Sequence, residues 1–153
     1  MKISHLLEEK EKRNEATLVT ISDEATVLDA IRALCQNRVG ALLVVGEDGQ
    51  LIGIISERDV LFQCCKNHAG CDRVAVASIM TRNPLVAHPT DTVEDALQIM
   101  TAKRVRHLPI IENDQIVGIV SLGDVLRRLY RQDELKIRYL GDYLGGTYGL
   151  RVY

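Results

Sequence analysis

The chain has 153 residues, and its balance of 46% hydrophobic and 26% charged residues is that of a folded globular protein, not of a disordered one. Its net charge of −2 excludes the strongly basic surface typical of nucleic-acid binding, so we expect no nucleic-acid partner. The longest apolar runs, such as ALLVV, are much shorter than the roughly 20 residues that cross a bilayer. Because the charged N-terminal segment also lacks an apolar signal core, we expect a cytoplasmic protein that contacts no membrane.

The first half of the chain predicts a strand, a helix, two strands and a second helix, in that order. A short strand is expected at 18–20. The helix after it is amphipathic, because apolar residues recur at the i, i+3, i+4 and i+7 spacing of one helical face. These residues are Val27, Ala30, Ile31 and Leu34. The apolar runs 41–45 and 51–55 predict strands, the Asp48-Gly49 pair between them predicts a hairpin turn, and a helix is expected after the second run.

The second half repeats this order. Residues 26–45 align with residues 92–111, and the loss of one residue in the following turn shifts the rest of the alignment by one. A strand is expected at 85–87, and the apolar face of the next helix is formed by Val93, Ala96, Leu97 and Met100. A repeat of this length predicts two copies of one structural unit. Each copy reads β-α-β-β-α, and its continuously apolar strands predict a sheet covered on both faces.

The two copies are expected to fold together, because a unit of about 60 residues buries too little surface to be stable by itself. We predict an α+β (α/β-like) fold in which two repeats pack sheet to sheet about a pseudo-two-fold axis, with a pair of symmetric clefts at the seam. The first repeat, with the N-terminal segment, is assigned to residues 1–66, and the second to 74–132. Residues 67–73 form the linker, and residues 133–153 form a C-terminal tail.

One short phrase occurs once in each repeat: GIISERD at 53–59 returns as GIVSLGD at 118–124. The simpler explanation is a folding device, because Ser-x-x-Asp is a capping box and the same kind of pattern precedes all four predicted helices. A binding site is favoured by the position of the phrase, directly after a buried strand. A helix N-terminus suits an anionic phosphate, and a carboxylate in the same turn can accept both hydroxyls of a ribose.

The element order, with TV–DA in the first helix of each repeat and GII-S–D entering the second, resembles a cystathionine-beta-synthase (CBS) domain. Two copies in tandem resemble a CBS pair, or Bateman module, over residues 1–66 and 74–132. The phrases GALLVVGEDGQLIGIISERDV and KRVRHLPIIENDQIVGIVSLGDVL are similar to those of stand-alone prokaryotic CBS-pair proteins. The resemblance implies that the motif aspartate holds the ribose of an adenosyl nucleotide, that the serine approaches the phosphates, and that basic residues before the last hairpin bind phosphate.

Three groups of residues are the predicted nucleotide-binding residues. The two motif copies supply Gly53, Ser56, Arg58, Asp59, Gly118, Ser121 and Asp124. The basic run KRVRHLP supplies Arg104, Arg106 and His107, although capping of a helix C-terminus also explains Lys103 and Arg104. The adenine slot is assigned to Val19, Thr20, Val39 and Ala41 in one site and to Val86, Val105, Leu108 and Pro109 in the other, each of which could equally be plain core. Gly40 completes the predicted set. The first repeat has Gly40 and Ala41 where the second has Arg106 and His107, so the clefts are expected to differ in charge.

The predicted function is that of a regulatory module that senses an adenosyl nucleotide: AMP, ADP or ATP, or else NAD(H) or S-adenosylmethionine. The alternative is a non-catalytic interaction scaffold whose Ser-x-x-Asp boxes are only helix caps. The sequence contains no H-E-x-x-H, G-x-S-x-G or P-loop motif, so we predict neither an enzyme nor a catalytic cofactor. The sequence does not identify the protein that would be regulated.

Two further segments are candidates for other roles. The stretch CCKNHAGC contains Cys64, Cys65, His68 and Cys71, but its spacing departs from the paired C-x2-C pattern of zinc sites. A plain connector is therefore favoured over a metal or redox site, and no metal is predicted. All five tyrosines lie in residues 130–153, and this tail is predicted to form the contact of a homodimer or, alternatively, to fold back on its own domain.

Overall fold

The computed structural model describes residues 1–15, 18–66 and 70–131. The elements of the first half are α1 (Ile3–Lys12), β1 (Thr20–Ser22), α2 (Val27–Asn37), β2 (Ala41–Val45), β3 (Leu51–Ser56) and α3 (Glu57–Lys66). Those of the second half are a 3-10 turn (Val76–Ser78), β4 (Thr81–Arg82), α4 (Val93–Lys103), β5 (His107–Glu112) and β6 (Gln115–Ser121), and residues 122–131 form helix α5. This mixture of helices and small sheets confirms the predicted α+β class.

Helices α2 and α4 begin with the capping boxes that the sequence predicts. Thr26 N donates to Asp29 Oδ2 at 3.0 Å, and Asp29 N donates back to Thr26 Oγ1 at 3.1 Å. Thr92 and Asp95 repeat the arrangement at α4. Each box satisfies two backbone N–H groups that the helix itself leaves without partners, and such a cap stabilises a helix by about 1 kcal/mol.

The first sheet has the strand order β1-β2-β3-β4. β1 runs parallel to β2, and β2 and β3 form an antiparallel hairpin. Although β4 follows the linker, it pairs with β3, and Arg82 lies opposite Gly53. The sequence predicts a strand at 85–87; the structure has there an isolated parallel bridge between Ala87 and Ile110. The residues just before the predicted strand are thus the ones that join the sheet of the first repeat.

The second sheet is the antiparallel hairpin of β5 and β6, in which His107 lies opposite Ser121. In the equivalent hairpin of the first repeat, Ala41 lies opposite Ser56. Each motif serine therefore ends a strand opposite the first residue of the partner strand. A helix starts immediately after it in both repeats, α3 in the first and α5 in the second.

Each hydrophobic core is completed by a segment from across the seam. Ile3 and Leu6 of α1 are fully buried in the core of the second repeat. Val76 and Met80, at the start of the second repeat, are buried in the core of the first. Burying an Ile or Leu side chain contributes about 1.5–3 kcal/mol, so these contacts weigh heavily in the stability of both halves. Although the N-terminal segment adjoins the first repeat in sequence, α1 therefore packs on the second.

Backbone hydrogen bonds hold the two crossing segments in the same way. Val93 N donates to Met1 O, and at the equivalent position Val27 N donates to Val74 O, both at 2.8 Å. The repeats are thus joined by related contacts at two places, as a pseudo-two-fold arrangement requires. Within the described residues, no helix has both the length and the apolar character needed to span a membrane.

Candidate functional site

A cavity of about 410 Å³ lies at the seam between the repeats, and we call it the first cleft. Three segments line it: the turn from β3 into α3, the chain after Met80, and the basic run between α4 and β5. The lining residues are Gly40, Ile54, Ser56, Glu57, Arg58, Asp59, Thr81, Asn83, Pro84, Leu85, Lys103, Arg104, Val105, Arg106 and His107. The first motif and the basic run of the second repeat, far apart in sequence, therefore share one cavity.

Asp59 caps α3 with one oxygen. Its Oδ2 accepts hydrogen bonds from Ser56 N at 2.8 Å and from Ser56 Oγ at 2.7 Å. Within the described residues, Oδ1 of Asp59 accepts no hydrogen bond. The same carboxylate can thus cap the helix and still offer an oxygen to a ligand in the cleft, so capping and binding do not exclude one another.

The first cleft carries more positive than negative charge. Its cations are Arg58, Lys103, Arg104 and Arg106, and its carboxylates are Glu57 and Asp59. None of the four cations forms an ion pair with a carboxylate of the described residues. Four cations against two carboxylates favour an anionic ligand, and guanidinium groups suit a phosphate in particular.

The apolar lining of the first cleft lies next to these charges. It consists of Ile54, Pro84, Leu85 and Val105. Leu85 is 44% exposed, so the cleft has an uncovered apolar surface. Apolar side chains beside a few polar groups are the ordinary surroundings of a small-molecule ligand.

His107 lies between the two motifs. Burial lowers the pKa of His107 below its ordinary value. The carboxylates of Glu57 and Asp124 act in the opposite direction, and the cations of Lys10 and Arg106 lower the pKa further. The ring is therefore neutral near pH 7 and can both donate and accept a hydrogen bond.

The second motif has the same internal geometry as the first. Asp124 Oδ2 accepts hydrogen bonds from Ser121 N at 2.9 Å and from Ser121 Oγ at 2.7 Å. The same oxygen also accepts from Lys10 Nζ at 2.8 Å, and Lys10 Nζ donates a further bond to Ile119 O at 3.0 Å. Lys10 of α1 therefore pairs with Asp124, whereas Asp59 pairs with no cation of the described residues. Oδ1 of Asp124, like Oδ1 of Asp59, accepts no hydrogen bond within the described residues.

The pKa of Asp124 lies below its ordinary value. Burial acts to raise the pKa, but the hydrogen bonds from Lys10 and Ser121 and the positive charge of Lys10 outweigh that effect. The carboxylate is thus ionised and paired within the protein. Its charge is already neutralised before any ligand arrives.

The two motif glycines contact side chains of the crossing segments. A Cβ atom added at Gly53 would lie 2.5 Å from Met80 Sδ, and one added at Gly118 would lie 2.8 Å from Leu7 Cδ2. The sequence assigns both glycines to the nucleotide site, where they would admit a ligand. In the structure, their small size admits Met80 and Leu7 instead.

The other predicted site residues separate into those that line the first cleft and those that do not. Eight line it: Gly40, Ser56, Arg58, Asp59, Arg104, Val105, Arg106 and His107. Ala41 and Pro109 are buried within β2 and β5, so neither side chain reaches the cleft. Thr20 lies exposed in β1, Val86 is 37% exposed outside the cleft, and Val39 lines a neighbouring hollow with Gly40.

Several lining residues carry no signal in the repeat. Thr81, Asn83 and Pro84 are of this kind, because their segment differs in length from its counterpart in the first half. Lys103 also lines the cleft, although its position at the end of α4 predicts only a helix-capping role. One sequence signal points to this segment: the proline after Asn83 indicates a turn, and a turn is needed where the chain leaves β4 for the cleft.

The cysteine-rich connector brings two thiols together. Cys64 Sγ lies 3.0 Å from Cys71 Sγ, both residues are half-buried, and Cys65 is exposed. His68 lies outside the described residues. Across the described ranges, no group of three or more His, Cys, Asp or Glu side chains is arranged to hold a metal ion.

The fold and cleft define a class of protein in which paired β-α-β-β-α repeats place a ligand-sized cavity at their seam. The sequence model of the CBS domain matches residues 15–64 and 76–131, so the chain belongs to the CBS-domain family and contains the domain twice.

The similar proteins found by comparison are CBS-domain proteins as well. The mitochondrial CBS domain-containing protein CBSX3 of Arabidopsis thaliana is 35% identical over 150 residues, which cover 95% of this chain and 73% of that protein. The crystal structure of a CBS-domain-containing protein from Agrobacterium tumefaciens has 30% identity and a TM-score of 0.76, over 84% of this chain and 98% of that one. A CBS-domain protein of Pyrobaculum aerophilum, complexed with AMP, has 24% identity and a TM-score of 0.71, over 86% and 99% of the two chains.

Proposed function

We propose that this protein is a regulatory module, not a catalyst, and that it binds an adenosyl nucleotide in the first cleft. The observation that carries the proposal is the open oxygen of Asp59 in one cavity with four cations that are not paired to carboxylates. A sugar-phosphate needs an acceptor for its hydroxyls and positive charge for its phosphates, and the cleft offers both.

Each part of the nucleotide has a counterpart in the cleft. The ribose hydroxyls donate to Asp59, and the adenine ring lies on the apolar surface that includes Leu85 and Val105. The phosphates extend toward Arg104 and Arg106. Charge favours AMP, ADP, ATP or NAD(H) over S-adenosylmethionine, because the sulfonium of the last would meet like charge. The AMP complex of the Pyrobaculum protein supports the ligand class for this fold.

Binding is proposed to regulate by changing the relation between the repeats. The cleft is lined from both repeats, so a ligand with different affinity for two arrangements of the seam shifts the population between them. A partner protein would detect that shift. The identity of this partner and the cytoplasmic location remain predictions.

The second candidate function is an interaction scaffold, favoured by the complete capping geometry of Ser56 and Asp59. A matched pair of variants separates the two functions. Asp59→Asn removes the capping carboxylate beside the cleft, and Asp29→Asn removes the same carboxylate of the α2 box, which lines no part of the cleft. Both variants are expected to lose stability, because each removes the acidic half of a capping box.

The measurement is thermal unfolding with AMP, ADP, ATP, NAD and S-adenosylmethionine. A ligand at 100 times its dissociation constant adds about 2.7 kcal/mol, which raises the melting temperature of the wild type and of Asp29→Asn. Asp59→Asn is expected to lose this shift. If none of the five compounds raises the melting temperature of the wild type, the interaction scaffold is favoured over the nucleotide sensor.

We also propose a homodimer, formed through apolar side chains that α3 and α5 leave exposed. Leu61 is 61% exposed and Phe62 59% on α3, while Leu126 is 49% exposed on α5. Leu61 and Leu126 occupy equivalent positions of the two repeats, so both helices offer an exposed leucine to a second copy of the chain. Sedimentation is expected to give a dimer for the wild type and a monomer for Leu61→Asp/Leu126→Asp. The tail at 133–153 lies outside the described residues.

A further inference from the structure

The segments that lie beside the first cleft and beside the second motif differ in length. Leu85 follows Met80 by five positions, and this short connection borders the open first cleft. Leu18 follows Leu7, the counterpart of Met80, by eleven positions, and α1 continues through the longer connection to Lys12. The additional helical turn is the part of α1 that lies against the second motif.

Contacts with α5 hold this turn in place. Lys10 is 7% exposed and bonded to Asp124. Arg128 lies 3.6 Å from Glu9, and Arg127 lies 3.1 Å from Glu15, which follows α1. The pair of Lys10 and Asp124 is removed from water, whereas the other two pairs are partly exposed and weak. The turn is therefore fastened chiefly by Lys10.

We propose that α1 is a built-in occupant of the place beside the second motif: Lys10 takes the place of the ribose hydroxyls at Asp124, so the chain binds one nucleotide, and the second motif binds another only when α1 is released. This inference rests on the proposed function. The ammonium group gives Asp124 the hydrogen bond that a hydroxyl would give and also neutralises its charge. A nucleotide that entered would leave Lys10 buried without its partner, which is costly.

Calorimetric titration with ATP tests the inference directly. The wild type is expected to bind one ATP per chain. Leu7→Ala/Lys10→Ala removes both contacts with the motif but keeps Ile3 and Leu6, which anchor α1, and it is expected to bind two. Adding Asp124→Asn to that variant is expected to return the number to one.

The outcomes separate the two proposals. Two sites in the wild type, or one site in the double alanine variant, would overturn the built-in occupant. No site in the wild type would contradict the proposed function instead. Hydrogen exchange tests the same point without a variant, by comparing the wild type with and without saturating ATP. Protection of the α1 amides is expected to be unchanged. A loss of this protection on ATP binding would show that the nucleotide displaces the helix.

A second inference rests on an independent observation, the contact between Cys64 and Cys71. Cys64 is on α3, and Cys71 is fixed to the other helix of the repeat because Leu28 N donates to Cys71 O at 2.8 Å. Both thiols pack against the core of the first repeat, whereas Cys35 and Cys65 are exposed. The two sulfur atoms are thus held near one another from both sides.

We infer that Cys64 and Cys71 form a reversible disulfide by exchange with a small oxidised disulfide such as glutathione disulfide. The two thiols lose two protons and two electrons and form one S–S bond, and glutathione disulfide takes up both to become two thiols. The hydrogen bond with Cys71 raises the pKa of the Cys64 thiol, so exchange is expected to accelerate as pH rises.

Mass spectrometry after incubation with glutathione disulfide tests this pair. Trypsin cleaves after Lys66 and so separates the two cysteines, which makes a linked peptide diagnostic. The link is expected in the wild type and in Cys65→Ser and to be absent in Cys64→Ser. A link through Cys65, a link between chains, or stable glutathione adducts at either thiol would overturn the inference.

Discussion

Lys10 Nζ lies 2.8 Å from Asp124 Oδ2, and the two side chains are only 8% and 10% exposed. The residues are 114 positions apart, so the pair joins the N-terminal helix to the last helix of the second repeat. A buried ion pair adds little to the free energy of unfolding compared with an apolar pair of the same size. Removal of one partner, however, lowers that free energy strongly, because the other charge stays buried without a partner. The pair therefore fixes where α1 lies more than it adds to overall stability.

Breaking this pair from one side is expected to destabilise the protein strongly. Lys10→Met leaves Asp124 buried without a counter-charge and should lower the free energy of unfolding by about 3–5 kcal/mol. Urea denaturation measures the change. The double variant Lys10→Met/Asp124→Asn should recover part of it, whereas Glu15→Gln, which breaks a partly exposed pair, should cost less than about 1 kcal/mol. Equal effects of Lys10→Met and Glu15→Gln would show that the pair is not buried in solution.

Acid is expected to weaken the attachment of α1. Because the pKa of Asp124 is lower in the folded than in the unfolded protein, its stabilising contribution is complete above the ordinary aspartate value of 3.8. The contribution is lost as pH falls from that value through the folded pKa, where Lys10 and Ser121 lose their acceptor. The free energy of unfolding, measured from pH 6 downward, should therefore fall more steeply for the wild type than for Asp124→Asn. Parallel curves would contradict a lowered pKa.

His107 is expected to respond to both pH and ligand. Its pKa in the folded protein lies below the ordinary value of 6.5, so the unfolded chain binds the proton more readily. The contribution of His107 to stability is therefore complete above pH 6.5 and is lost as pH falls below that value. Bound phosphates would add negative charge near Glu57 and Arg106 and raise the pKa of His107. Imidazole shifts followed by NMR, with and without ATP, measure both effects, and His107→Gln should remove the loss of stability below pH 6.5.

Arg104 and Arg38 offer a matched comparison for phosphate binding. Each ends the first helix of its repeat in the left-handed conformation, with φ values of 55° and 53°. Only Arg104 lines the first cleft. Alanine at either position should change stability alike, but Arg104→Ala should weaken ATP binding about tenfold or more, because a hydrogen bond to a charged group contributes about 1.5–3 kcal/mol. Calorimetry with ATP and adenosine measures this, and an equal loss for both ligands would place Arg104 away from the phosphates.

The sequence predicts what is local and what is repeated. The capping boxes of Thr26 and Thr92 follow from four-residue patterns and are confirmed, and the duplicated element order correctly predicts the α+β fold. The crossing of α1 and of the segment before β4 could not be predicted, because alignment of the repeats compares only what they share. The site follows the same rule: Asp59 and Arg106 lie in recognisable motifs, whereas Asn83 and Lys10 lie where the two copies differ.

The exchange of core residues across the seam also limits how the duplication can be used. A fragment that ends at Lys66 would lack Val76 and Met80, and one that starts at Val74 would lack Ile3 and Leu6. Either piece alone would leave an apolar gap in its interior, but mixed together they could reconstitute the whole by complementation. Recombination during evolution would accordingly transfer both repeats together. A single repeat moved into another protein would lack the core residues that the other half supplies.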